Sequence, residues 1–290
     1  MGETIRDFKP DIVLNTNELF NTPIGKVLLE TDPKIASYTV VTDLADVHSL
    51  WFSPEPDRFF IANEWVKVKA LESGVPEDKL VISGIPVSPD FAFNQVEKQA
   101  LRGSLGLDPH RLTLLFVGST RVSNLQDYLQ ALENFGTPVQ AVVIAGGNDT
   151  LYKELIGRHY DFPLEVRNFE KNIPQWMMAS DVLVTKAGGL ILSEGLAAGL
   201  PILLIDYLPG QEEGNVRYVL SHQTGALVQN VGEFRAMMAY WLEGDGYRLS
   251  QISRESAALG HPEAALTVAK ALWDAMLLQP EPKLLAPKAG

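Results

Sequence analysis

DVLVTKAGGLILSEGLAAGLPILLIDYLPGQEEGN, residues 181–215, is the stretch on which the fold turns. A β-branched run at 182–185 meets Lys186-Ala187-Gly188-Gly189. A helical pattern over 190–198 stops at Gly199, Pro201 opens a second apolar run at 202–205, and Pro209-Gly210 turns into a polar loop. Strand, glycine turn, helix and strand in that order form the repeating unit of a doubly wound parallel sheet. Small residues at the turn let backbone N–H groups approach an anion, and the positive end of the helix stabilises it. A diphosphate fits such a place. Glu194, one turn into the helix, is spaced to accept from a vicinal diol, as acidic residues do for a nucleotide ribose. Gln211, Glu212 and Asn215 offer the mixed donors and acceptors that sugar hydroxyls need. The glycines serve equally as plain turn residues and Glu194 as a solvated helix residue; the combination counts for more than any one member.

The same alternation runs outward in both directions, so the class is α/β. Strands are expected at 112–117, 139–144, 164–166 and 226–227, with helices at 124–134, 173–179, 231–241, 247–259 and 262–278. Gly118-Ser119-Thr120 follows the first of those strands. Upstream, strands are expected at 11–14, 38–42, 59–62 and 80–82, and helices at 22–31 and 63–73. Pro86, Pro89 and the polar stretch 94–99 interrupt the pattern. The expected domains are therefore 1–95 and 96–278, with 279–290 as a mobile tail. The first strand is reached only after a charged helical segment and without an opening glycine turn, so the N-terminal domain reads as incomplete.

Composition removes several classes of function. Cysteine is absent from the 290 residues, which excludes disulfides, zinc–thiolate sites and thiol nucleophiles. A net charge of −12 opposes nucleic acid. Residues 1–90 carry eight Lys and Arg against fifteen Asp and Glu, leaving no basic patch for anionic lipid. No apolar run reaches the ~18–20 residues needed to span a bilayer, and the expectation is a cytoplasmic protein, at most peripheral to a membrane. No Asp-x-Asp triplet occurs, so neither a metal-bridged diphosphate nor another cofactor is expected. Four of the five histidines fall beyond residue 95, leaving His48 alone in the first part. His48 and Asp43 follow a strand, in a loop expected to face a cleft. They are the candidates for acid–base work, with a packing role for His48 as the alternative. Trp51, Phe52, Phe59 and Phe60 are candidates for membrane contact, and core positions are at least as natural for them.

Residues 185–219, TKAGGLILSEGLAAGLPILLIDYLPGQEEGNVRYV, closely resemble the donor-site segment of monogalactosyldiacylglycerol synthases and bacterial diacylglycerol glucosyltransferases, relatives of the peptidoglycan GlcNAc transferase. PGQEEGN is the most specific part. VTDLADVHSLWF at 41–52, SGIPVSP at 83–89 and Arg167-Asn168-Phe169 extend the resemblance over about 9–278. It implies a GT-B architecture, two Rossmann-like domains around a cleft. It puts the donor diphosphate near Gly118, Ser119, Gly188 and Gly189, uracil near Asn168 and Phe169, the ribose on Glu194 and the sugar on Gln211 and Glu212. Lys186, Ala187, Pro209, Gly210 and Asn215 complete the expected donor site.

The implied reaction is inverting transfer of glucose or galactose from UDP-glucose or UDP-galactose to diacylglycerol at a membrane surface. Two departures are visible: the Gly118-Ser119-Thr120 turn is poorer in glycine than the family's loop, and Ser88 stands where many relatives have Arg. The relatives' Gly-rich loop with its His, thought to be the general base, has no counterpart here. UDP-sugar binding with little transfer activity is therefore expected. GlcNAc transfer to a polyprenyl-linked precursor, a donor-binding subunit or inactive truncated form, and a nucleotide-sugar epimerase are the competing readings. PGQEEGN favours the diacylglycerol branch, and an epimerase needs further carboxylates and histidines that have no evident place.

Overall fold

In the computed structural model, residues 2–31, 35–94, 96–118 and 125–278 are described. The expected tail at 279–290 lies outside them, as does Ser119. The strands form two all-parallel sheets. β1 (Ile12–Asn15), β2 (Ala36–Val40), β3 (Arg58–Ile61) and β4 (Leu80–Ile82) lie in consecutive order in the first. The second holds β5 (Leu112–Val117), β6 (Val139–Ile144), β7 (Leu164–Arg167), β8 (Val182–Lys186), β9 (Ile202–Asp206) and β10 (Gly225–Leu227), in the order β10-β9-β8-β5-β6-β7. These are two Rossmann-like units in a GT-B arrangement, as the resemblance implies.

The central strands β5, β6, β8 and β9 of the second sheet are mostly apolar because both faces are covered, whereas the edge strand β7 (Leu164–Arg167) carries Glu165 and Arg167. Leu114, Phe116, Val143 and Val184 pack beneath the helices Leu125–Gln130 and Val231–Leu242. Their neighbours Leu115, Val142, Leu183 and Leu204 face the other way, into a core continuous with Val41, Trp51, Phe59 and Ile61 of the first unit. One apolar cluster thus joins the two sheets.

The first sheet is covered differently. Parallel crossovers are right-handed, so a sheet that winds in one direction sends its connections to one face and leaves the other bare. Tyr38, Val40 and Phe60 point to that second face, where the last helix, Ala264–Leu278, packs Val268, Ala271 and Leu272 onto them. The C-terminal helix therefore covers the N-terminal sheet.

Expected strands and observed strands agree to within two residues at each end. The helices Asp90–Phe93, Lys98–Ser104, Asp149–Ile156 and Glu213–Ser221 lie outside the expected ones. The last begins inside PGQEEGN, where glycine and asparagine read locally as a loop; buried Val216, Tyr218 and Val219 hold it as a helix. The helix Gly189–Ala197 ends as expected, on Gly199 at φ 66°, a left-handed position that glycine takes without steric penalty.

Candidate functional site

The strand order of the second sheet reverses between β5 and β8, and α/β sheets bind ligands in the crevice beyond the strand ends at such a reversal. Gly118 follows β5 and Lys186-Ala187-Gly188-Gly189 ends β8, so the two glycine turns read from sequence flank this point. Gly188 is the N-cap of the helix Gly189–Ala197 and carries no capping side chain, which leaves the first amides of that helix facing the crevice.

Across from them lies the loop that follows β2. A Cβ on Gly189 would stand 3.6 Å from the Leu44 amide and 3.7 Å from the Thr42 carbonyl, so the loop passes directly over the helix N-terminus. Between the two units is a cleft of about 670 Å³. Thr42, Asp43, His48 and Leu50 line one side; Gly189, Leu190, Gly210, Gln211, Glu212 and Asn215 line the other. Candidates from distant parts of the chain thus share one cavity.

The PGQEEGN segment is tied to the β8 turn by its polar side chains. Asn215 Nδ2 donates to the Ala187 carbonyl at 2.9 Å. Lys186 Nζ forms an ion pair with Glu212 Oε1, and Glu212 Oε2 accepts from the Leu208 amide at 2.9 Å. Glu212 is buried by these contacts, whereas Gln211 is exposed to the cleft. Gly214 answers a different need: a Cβ there would coincide with the carboxylate of Asp46, which reaches over from the first unit and also pairs with Arg217 at 2.9 Å.

Glu194 is half-buried on the helix Gly189–Ala197, and burial pushes its carboxyl up to about 6. Its carboxylate has no ionic or hydrogen-bond partner among the described residues. Asn168 and Phe169 follow β7, at the same end of the sheet. Asn168 Nδ2 donates to Asp149, its Oδ1 is buried without a partner among the described residues, and the Phe169 ring is exposed.

On the opposite wall, Asp43 Oδ2 accepts from Trp51 Nε1 at 2.7 Å. Its carboxyl is raised chiefly by burial and further by Glu18; the Trp51 hydrogen bond and nearby His48 oppose the shift. His48 is exposed, and its Nδ1 accepts from the Leu50 amide at 3.1 Å. A neutral imidazole held that way carries its proton on Nε2 and offers the cleft a donor.

The aromatic residues considered for membrane contact lie in the core: Trp51 and Phe59 are 1% exposed, Phe52 7% and Phe60 0%. They fill the two faces of the first sheet. Exposed apolar side chains sit instead at the cleft's edge. Leu50 and Leu190 line it, and Leu19 and Phe20 stand on the turn Glu18–Phe20, which packs against Ser49–Trp51. Glu18 and Asp46 carry no local sequence signal for this site, because only the tertiary fold brings them to the cleft. Among the described residues, no cluster of three or more His, Asp or Glu could hold a metal ion, and no helix is long and apolar enough to cross a membrane.

Residues 1–87 match the family described as monogalactosyldiacylglycerol (MGDG) synthase. The resemblance to these synthases holds. Over 276 residues the chain is 33% identical to monogalactosyldiacylglycerol synthase 2, chloroplastic, of Arabidopsis thaliana, covering 92% of this chain and 59% of that protein. A probable monogalactosyldiacylglycerol synthase 2 of Oryza sativa subsp. indica is 31% identical over 288 residues, covering 96% and 61%. The chain thus spans about three fifths of the length of these relatives. Among solved structures, MurG of Acinetobacter baumannii superposes with a TM-score of 0.68 at 14% identity, covering 94% of this chain and 76% of that one. UDP-GlcNAc 2-epimerase of Neisseria meningitidis, bound to UDP-GlcNAc, gives 0.68 at 17%, covering 94% and 78%. At such identities the likeness concerns the fold.

Proposed function

We propose that the chain is a hexosyltransferase that binds UDP-glucose or UDP-galactose in the cleft and passes the hexose, with inversion, to diacylglycerol at a membrane surface. The observation that carries this reading is the strand reversal at β5/β8, with Gly189 at the start of the helix lining a cleft shared with Asp43. The diphosphate would lie against the amides that open the helix Gly189–Ala197, which supply the charge stabilisation without a metal or other cofactor. Uracil would lie near Asn168 and the exposed ring of Phe169. The ribose would donate to Glu194, and Gln211 and Glu212 would meet the sugar. Asp43, whose carboxyl burial has raised, suits a general base for the acceptor hydroxyl better than His48, which presents an N–H. The neighbour bound to UDP-GlcNAc supports a UDP-sugar donor, and the monogalactosyldiacylglycerol names of the relatives support a diacylglycerol acceptor.

Calorimetry with UDP, UDP-glucose and UDP-galactose on the wild type and Glu194→Ala tests the assignment. UDP affinity should fall roughly ten-fold in the variant, the scale of a charge-assisted hydrogen-bond pair; undiminished affinity removes Glu194 from the ribose. The pH dependence is a sharper test with UDP-hexose, whose capped diphosphate does not titrate in this range. The ionised carboxylate is the acceptor form, so affinity should drop as the pH falls through about 6. Stability moves the other way: a carboxyl raised on folding binds protons more readily in the native state, and its contribution to stability declines as pH rises toward 6. An affinity that is flat between pH 5 and 7 in the wild type sinks the ribose role.

A further inference from the structure

The Lys186–Glu212 pair lies at the Gly188-Gly189 turn, where the diphosphate is proposed to bind. Lys186 Nζ lies 3.3 Å, and Glu212 Oε1 3.7 Å, from where a Cβ on Gly188 would be. The two charges pair there, at the lip of the turn, with Glu212 held on its other oxygen by the Leu208 amide. Glu212 is 7% exposed, so water solvates its charge poorly and the Lys186 partnership neutralises it.

A diphosphate arriving at the Gly188-Gly189 amides brings negative charge to within a few ångströms of that carboxylate. One ammonium cannot neutralise both. Its flexible four-carbon stem and compact charge let it turn to phosphate oxygens while the planar carboxylate stays fixed by Leu208. Glu212 Oε1 is then without its donor in a buried place, an arrangement that is unfavourable until another donor arrives. A hexose hydroxyl is such a donor, and UDP alone has none to offer at that point.

We infer that Lys186 serves two anions in turn, the Glu212 carboxylate in the empty site and the donor diphosphate in the filled one, so that the site holds UDP-hexose more firmly than UDP. This rests on the donor-site reading above. Once the sugar has left, Glu212 recaptures Lys186 and weakens the grip on the remaining UDP. The pair thereby favours product release.

Calorimetry with UDP and UDP-hexose on the wild type, Glu212→Gln, Lys186→Met and Lys186→Arg tests this, with thermal melting to confirm folding. Glu212→Gln should bind UDP roughly five-fold more tightly and UDP-hexose no more tightly than the wild type, because the freed ammonium no longer has a rival. Lys186→Met should lose roughly ten-fold or more for both ligands, and Lys186→Arg should restore most of it. If Glu212→Gln does not fold, Glu212→Asp, which keeps the charge but shortens its reach to Lys186, is read in the same direction. A wild type that binds UDP while the Glu212 variant binds it no more tightly, or loses both ligands equally along with thermal stability, overturns the exchange and leaves a structural staple. A wild type that binds neither ligand removes the donor-site reading itself.

Discussion

The two sheets are both all-parallel with helical crossovers, and the difference that matters for the site is their winding. The first winds β1-β2-β3-β4 without turning back, while the second winds both ways from β5 and β8. A reversal separates two neighbouring strand ends and opens a crevice between their loops; a sheet that never reverses has none of its own. If the anion binds at the Gly188-Gly189 turn as proposed, the second sheet supplies that site by itself, and the first lays its β2 loop across it, where Asp43 and His48 line the cleft. The division predicts that ligand affinity belongs to one sheet, and that access and closure belong to the other.

The largest expected effect tests that division directly. Gly189→Val puts a branched side chain between the helix amides and the Leu44 amide, where a single Cβ already stands 3.6 Å away. UDP affinity should fall about 100-fold, equivalent to about 2.7 kcal/mol. His48→Ala, on the exposed wall of the same cleft, should leave UDP affinity within about two-fold, since the residue offers no contact to a phosphate on the opposite side. Calorimetry on both variants decides; comparable losses would mean that the first unit shares the anion site.

A second, intermediate effect concerns the first unit alone. Leu19, Phe20 and Leu50 are 61%, 45% and 51% exposed at the cleft's edge. Exposed apolar side chains grouped at the mouth of a site mark a contact surface, and the proposed acceptor is a lipid. A Leu19→Ser, Phe20→Ser, Leu50→Ser variant should lose roughly ten-fold in flotation with neutral vesicles containing diacylglycerol, a modest part of the full burial energy of three such side chains. Its UDP affinity should not change. With eight basic against fifteen acidic residues in 1–90, adding anionic lipid should not strengthen binding. Unchanged flotation of the variant would remove this rim from membrane contact.

The same contrast explains what could be read before any coordinates. The second unit's share of the site is contiguous: strand, glycine turn, helix and strand follow within 181–215, and each is signalled by residues next to it. The first unit's share of the site is assembled from afar. Asp46 meets Arg217 across 171 positions, and Glu18 arrives from before β2, so no local spacing announces either. At Trp51 and Phe52 the sequence leaves membrane contact and core packing open, because no periodic pattern around them decides which side they face. They are buried because the turn Ser49–Trp51 folds back beneath β3 into the shared core. Within PGQEEGN the residue types pointed to a sugar, yet their contacts divide: Gln211 faces the cleft, Glu212 and Asn215 bind the β8 turn, and Gly214 makes room for Asp46.

That last glycine gives the smallest expected effect and the most diagnostic sign. The Asp46–Arg217 pair is exposed, 46% and 63% by side chain, so screening leaves it about 0–1 kcal/mol at most. Asp46→Ala alone should therefore lower the melting temperature by no more than about 2–4 °C. Gly214 lies in the first turn of the helix Glu213–Ser221 with ordinary helical geometry, where alanine is intrinsically favoured over glycine by up to about 1 kcal/mol. In the wild type, however, the new methyl would fall on the Asp46 carboxylate and drive it from Arg217. Gly214→Ala should consequently be neutral or destabilising in the wild-type background and stabilising in Asp46→Ala, a reversal of sign visible in paired melting curves. A conformational requirement of the loop would give the same penalty in both backgrounds. The reversal would assign this position to the first unit's closure over the cleft and separate it from the proposed sugar contacts two and three residues before it.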